Sequence, residues 1–127
     1  MAEQYIYYFE KLQVWKDSRS LVKMVYDVSR TFPTFEKQGL ASQIQRAVVS
    51  VSSNIAEGMS RSSEKEQLHF LEIAYSSLME VLCQLNLAFD LAYIDEKTLN
   101  DVRVLLNTTS KELTALVRTI KQRYSNS

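Results

Sequence analysis

Between residues 71 and 120 the chain repeats one spacing, apolar side chains three and four positions apart, in two successive runs. Leu71, Ala74, Leu78, Val81, Leu85, Ala88 and Ala92 make the first run, with Leu68, Tyr75, Leu82 and Phe89 beside it every seven residues. Leu99, Val102, Leu106, Thr109, Leu113, Leu116 and Ile120 make the second. The spacing fits a helical turn and not a strand, whose side chains alternate every two residues. A helix with such a stripe must bury it against other helices. Two upstream segments carry looser versions. Leu12, Trp15, Val22, Val25, Val28 and Phe32 mark the first; Leu40, Ile44, Ala47, Val51, Asn54 and Gly58, flanked by Val48 and Ile55, mark the second.

Local signals set the limits of these helices at about 11–32, 37–57, 64–93 and 96–124. Pro33 disfavours the α conformation in Phe32 and stops the first. Gly58 through Ser62 breaks the second. Ser63 and Glu66 have the spacing of a capping box at the head of the third, and Asp95 is placed to cap the fourth. With two Gly and one Pro in 127 residues, the chain lacks turn material for a β-sandwich and a glycine loop for phosphate. Short connections make successive helices antiparallel. The expected fold is all-α, one antiparallel up-down four-helix bundle over residues 1–127.

No apolar run approaches the roughly 20 residues that span a bilayer. The opening MAEQYIYYFEKLQVW has neither the basic flank nor the small-residue cleavage site of a signal peptide. The lone Cys83 cannot form an intramolecular bridge, and between Leu82 and Gln84 it reads as a small buried hydrophobe. A cytoplasmic protein without membrane contact is expected.

Bundles of this length can house a di-iron centre built from two Glu-x-x-His pairs and two further Glu residues. Glu66 and His69 supply one pair, but His69 is the single histidine, so the second pair is missing. The same shortage removes His-dependent triads, and no Gly-x-Ser-x-Gly elbow is present. Glu57 and Glu80 read as structural carboxylates. Asn54, on an apolar stripe, reads as an amide that fixes helix register, and Ser50 and Ser77 as small residues that let helices approach. No catalytic residue, cofactor, metal or small-molecule substrate is expected.

Net charge is zero, yet unevenly spread. Residues 1–50 carry seven bases and five acids, 51–102 three and nine, and 103–127 five and one. Lys16, Arg19, Lys23 and Arg30 share one helical face, and Lys111, Arg118 and Lys121 share another. In an up-down bundle the first and last helices are neighbours, which would set two basic ridges side by side. The third helix is more apolar than a bundle needs: Ile73, Leu87 and Ile94 form a separate heptad-spaced line beside Met79 and Tyr93. With the cluster Tyr5, Ile6, Tyr7, Tyr8 and Phe9, this surface argues for self-association.

Several stretches resemble one family. Phe9-Glu10-Lys11-Leu12-Gln13-Val14-Trp15, then Phe32-Pro33, Glu36 and Gly39-Leu40, match its opening blocks. More specific are Gln43, Arg46-Ala47, Ser50, Asn54-Ile55-Ala56-Glu57-Gly58 and Arg61, followed by Phe70-Leu71, Ile73-Ala74, Ser77-Leu78 and Glu80. The chain thus resembles, over about residues 9–94, the proteins named for 23S ribosomal RNA intervening sequences. It departs at Gln45, where many relatives carry arginine, and at Met59-Ser60. The resemblance implies a four-helix bundle that assembles as a homopentamer; some relatives are accessory proteins of diversity-generating retroelements that engage nucleic acid. Two functions stay open: a homo-oligomeric interaction protein that binds RNA or DNA through its basic ridges, or a protein-binding scaffold without a nucleic-acid role.

Overall fold

A computed structural model describes residues 4–125, so the five remaining terminal residues of the expected domain lie outside the described ones. The four helices are α1 (Gln13–Ser29), α2 (Leu40–Met59), α3 (Glu64–Asp90) and α4 (Glu96–Ser125), with short 3₁₀ turns at Tyr8–Lys11 and Thr34–Glu36. No strand occurs among the described residues. Each helix packs on the next, α4 closes against α1, and the diagonal pairs do not meet. This is the expected up-down square. Four helix ends fall short of the sequence reading for local reasons. α1 starts at Gln13, after the 3₁₀ turn Tyr8–Lys11. α1 tightens into i→i−3 bonds, with Thr31 N donating to Val28 O and Phe32 N to Ser29 O. The segment before α2 is a 3₁₀ turn. α3 stops at a left-handed residue described below.

Leu21, Ile44, Ile55, Leu71, Leu78, Leu85, Leu106, Leu113 and Ile120 form the fully buried centre. The α3 and α4 stripes fall where the spacing put them, apart from Ala92 and Leu116 at their margins. The α1 stripe does not. Its buried line is Val14, Ser18, Leu21, Val25 and Ser29, while Leu12, Trp15 and Val22 flank it half-buried. Two serines hide that line from a hydrophobicity count, and both are satisfied. Ser18 Oγ donates to Trp15 O at 2.7 Å and lies 2.9 Å from Ser52 Oγ on α2. Ser29 Oγ donates to Tyr26 O and accepts from Gln45 Nε2 at 2.8 Å.

Cys83 is exposed, contrary to its reading as a buried hydrophobe. The inward position belongs to Gln84, three residues after Val81 and four before Ala88, which is buried with Oε1 unpartnered. The α2–α3 seam is close. A Cβ on Gly58 would stand 3.2 Å from both Gln67 O and Phe70 Cβ. Ser50 and Ser77 hydroxyls meet across the seam at 2.8 Å, and Asn54 Nδ2 donates to Ser50 O and Oγ. Asn54 therefore lies at the margin of the seam, half-buried and bonded within its own helix.

Ser63 caps α3, accepting from Glu66 N at 3.2 Å, but the reciprocal arm of the expected capping box is not made. The Glu66 carboxylate lies 3.8 Å from Arg61 instead. Asp95 caps α4 through Thr98 N at 2.8 Å, and its bonds with Thr98 hold the carboxyl below its usual range. The far end is tied by Glu36: one carboxylate oxygen accepts from Leu40 N at 3.1 Å and the other from the Tyr93 hydroxyl at 2.8 Å. That bond raises the Tyr93 phenol above its usual range.

α3 ends in a Schellman motif, with Tyr93 N donating to Ala88 O and Ala92 N to Phe89 O, both at 2.9 Å. Its left-handed position, φ 62°, is filled by Ala92. An L side chain there costs about 1 kcal/mol relative to glycine. Ala92→Gly is expected to stabilise the fold by about 0.5–1 kcal/mol in chemical denaturation, after the entropic penalty of glycine in the unfolded chain. An unchanged or lower midpoint would contradict that account of the helix end.

Candidate functional site

The basic residues of α1 are placed together. Lys16, Arg19 and Lys23 line one shallow depression with Ser20, and all three are exposed. Arg19 stacks over Trp15 at 5.5 Å from the ring centroid. Arg30 continues the face but is paired with Asp27 at 2.9 Å. On α4, Arg118 and Lys121 line a separate depression with Thr114 and Val117, and Lys121 also borders a groove shared with α3. Lys111 is exposed on the same helix. The two ridges do not merge at the α1–α4 junction. Asp17 and Glu112 occupy it.

The expected apolar line on α3 is broken up. Leu87 is 46% exposed, but Ile73 and Met79 are half-buried, and Met79 packs on the core. Ile94 is 8% exposed and belongs to the core, because the chain has already left α3 and turns it inward. Tyr93 meets Phe32 at a tilt and Phe35 edge to face, and bonds Glu36 within its own chain. Exposed apolar area lies elsewhere. Tyr5, Ile6, Tyr7 and Tyr8 are 57–78% exposed, and Tyr75, Phe89, Leu91 and Val104 are also outside. Leu68, Leu71, Glu72, Tyr75, Leu113, Thr114, Val117 and Lys121 enclose an open groove of about 600 Å³ between α3 and α4. Sequence spacing gave Leu68 and Tyr75 as a secondary line but could not pair them with Val117 across the helices.

Among the described residues no three His, Cys, Asp or Glu side chains gather as metal ligands, and His69 meets Phe70 edge to face. No helix among the described residues is long and apolar enough to cross a membrane.

One titratable group was invisible in the sequence. Burial, with Asp17 facing it across the junction, pushes the Glu112 carboxyl up from 4.5 to about 7. Glu112 Oε1 is buried without a partner, while Asp17 accepts from Gln13 Nε2 at 3.0 Å. No helix periodicity marks Glu112, the lone acid after residue 102.

The geometry defines a class first: a small four-helix bundle whose distinctive features are surface patches rather than a cleft lined by reactive groups. Residues 10–115 match the family described as 23S rRNA-intervening sequence protein, and the chain belongs to that family. Among solved structures, the chain is similar to a Bacteroides thetaiotaomicron protein of unknown function from the S23 ribosomal protein family. The two share 20% identity over 83% of this chain and 95% of that one, with a TM-score of 0.77. At that identity the likeness concerns the fold. No curated protein matches the chain.

The Glu112 carboxyl sets a pH dependence. Its folded pKa exceeds the unfolded value, so the folded state binds the extra proton between pH 4.5 and about 7. The stabilisation is full below 4.5 and is lost as pH rises towards 7. Glu112→Gln should therefore flatten the fall in melting temperature between pH 5 and 8 and raise it at pH 8. Parallel pH profiles for the two proteins would exclude this carboxyl as the cause.

Proposed function

We infer that this chain is a non-enzymatic interaction protein that works as an assembly of its own copies. The exposure of Tyr5, Ile6, Tyr7 and Tyr8 on one segment supports this most directly. Four large apolar side chains in succession, each more than half in water, form a patch that calls for a covering partner. Zero net charge removes the long-range repulsion that would keep copies apart. Five copies per assembly is the number that the family resemblance suggests. Light scattering at micromolar concentration should return a mass several times the 14.7 kDa chain. A mass of one chain overturns the reading, and a dimer or tetramer overturns the number five.

A second reading, binding of RNA or DNA, is favoured by one observation: Lys16, Arg19 and Lys23 stand together without an ion pair of 4 Å or less among the described residues. In an assembly this triad repeats on every copy, and each phosphate neutralised adds about −0.9 to the salt slope on duplex DNA. The α4 cations contribute from a different face. Reversing the three to glutamate should abolish any retention of RNA or DNA at low salt, for all sequences alike. Absence of retention by the natural protein at low salt leaves the scaffold role in its place.

A further inference from the structure

The segment Tyr5–Tyr8 packs through its 3₁₀ turn against α1 and α2. The groove lined by Leu68, Tyr75, Thr114 and Val117 opens between α3 and α4. In an up-down square these are opposite faces. They are also level with one another, because the segment leads into the start of α1, while Leu68 lies near the start of α3 and Lys121 near the end of α4. The segment is thus turned away from the groove of its own chain. Both are apolar and unfilled, and their polar groups complement each other. Glu72 and Lys121 stand at the groove, and the tyrosine hydroxyls both donate to a carboxylate and accept from an ammonium.

Resting on the self-association reading above, we propose that Tyr5, Ile6 and Tyr7 of one copy seat in the α3–α4 groove of the next copy. An aromatic side chain buries roughly 150–250 Å², so Tyr5 and Tyr7 supply about 300–500 Å², to which Ile6 adds. A standard interface takes about 800 Å² per partner, so this contact forms about half of one and anchors it. Donor and acceptor patches differ, so the contact is heterologous, and each copy keeps a free segment and a free groove until the assembly closes.

The test uses two full-length variants. One carries Tyr5→Ser, Ile6→Asp and Tyr7→Ser; the other carries Tyr75→Arg and Thr114→Arg, exposed positions at the groove mouth. Each alone should be monomeric, and the equimolar mixture should give a dimer joined by its one intact contact. If the natural protein assembles and either variant still does, segment docking is wrong while self-association stands. If both variants are monomeric and their mixture stays so, segment and groove are not partners. A monomeric natural protein removes the underlying reading itself. As a check independent of variant folding, a photo-crosslinking phenylalanine at position 7 of the otherwise natural chain should attach to residues 68–75 or 114–121 of another copy. Attachment elsewhere overturns the proposal.

Discussion

The close contact of α2 with α3 is the constraint on which the remainder of the bundle is built. At Gly58 the end of α2 comes so close to α3 that a Cβ there would stand 3.2 Å from the Gln67 carbonyl and from Phe70 Cβ, and α3 would have to give by a few tenths of an ångström. Ala47, Ser50, Ala74 and Ser77 are small, and the Ser50–Ser77 bond fixes which turn of one helix faces which turn of the other. Arg61 closes the corner: it pairs with Glu57 at 3.0 Å and lies over the Phe70 ring at 5.0 Å. The ion pair is exposed and adds little by itself. With α2 and α3 set, α1 docks through Ser18–Ser52 and Ser29–Gln45, and α4 fills the remaining corner.

This seam also explains why the family is legible in the sequence and its role is not. Asn54, Glu57, Gly58 and Arg61 carry much of the resemblance, and each has a structural duty at the α2–α3 corner. Gln45, a departure from the pattern, bonds Ser29 and helps hold α1. The most recognisable residues therefore encode how the bundle closes. Whatever it meets outside is left to exposed side chains such as Tyr5, Tyr75 and Lys16.

The fold was readable because apolar periodicity in α3 and α4 is a one-dimensional trace of a three-dimensional face. It misled in α1, where Ser18 and Ser29 take buried places through local bonds that a hydrophobicity pattern does not register. Cys83 faces outward, against its expected burial, and its neighbour Gln84 faces inward, because adjacent helical positions differ by about 100° in direction. The candidate surfaces were less readable, since a groove belongs to two helices and a ridge depends on which flank turns outward. Arg118 and Lys121 share a face with each other, as spacing requires, but not with Lys16 and Lys23, because rotation of α4 about its axis is set by the whole core. Glu112 is the sharpest case: its raised pKa comes first from burial in the folded bundle and then from Asp17, 95 positions away.

The distribution of hydrogen bonds among the seams has a thermal consequence. Side-chain hydroxyls and amides lace α1 to α2 and α2 to α3. α4, the longest helix, lies against α1 and α3 mainly through Leu99, Val102, Leu106, Leu113 and Ile120, with Tyr124 bonding the Ser62 carbonyl near its end. Apolar attraction weakens on cooling, whereas hydrogen-bonded seams do not share that dependence. Cold therefore acts unevenly on this bundle. It loosens the docking of α4 while α1, α2 and α3 keep their register, and the four-helix square approaches a three-helix sheaf with one detachable strut.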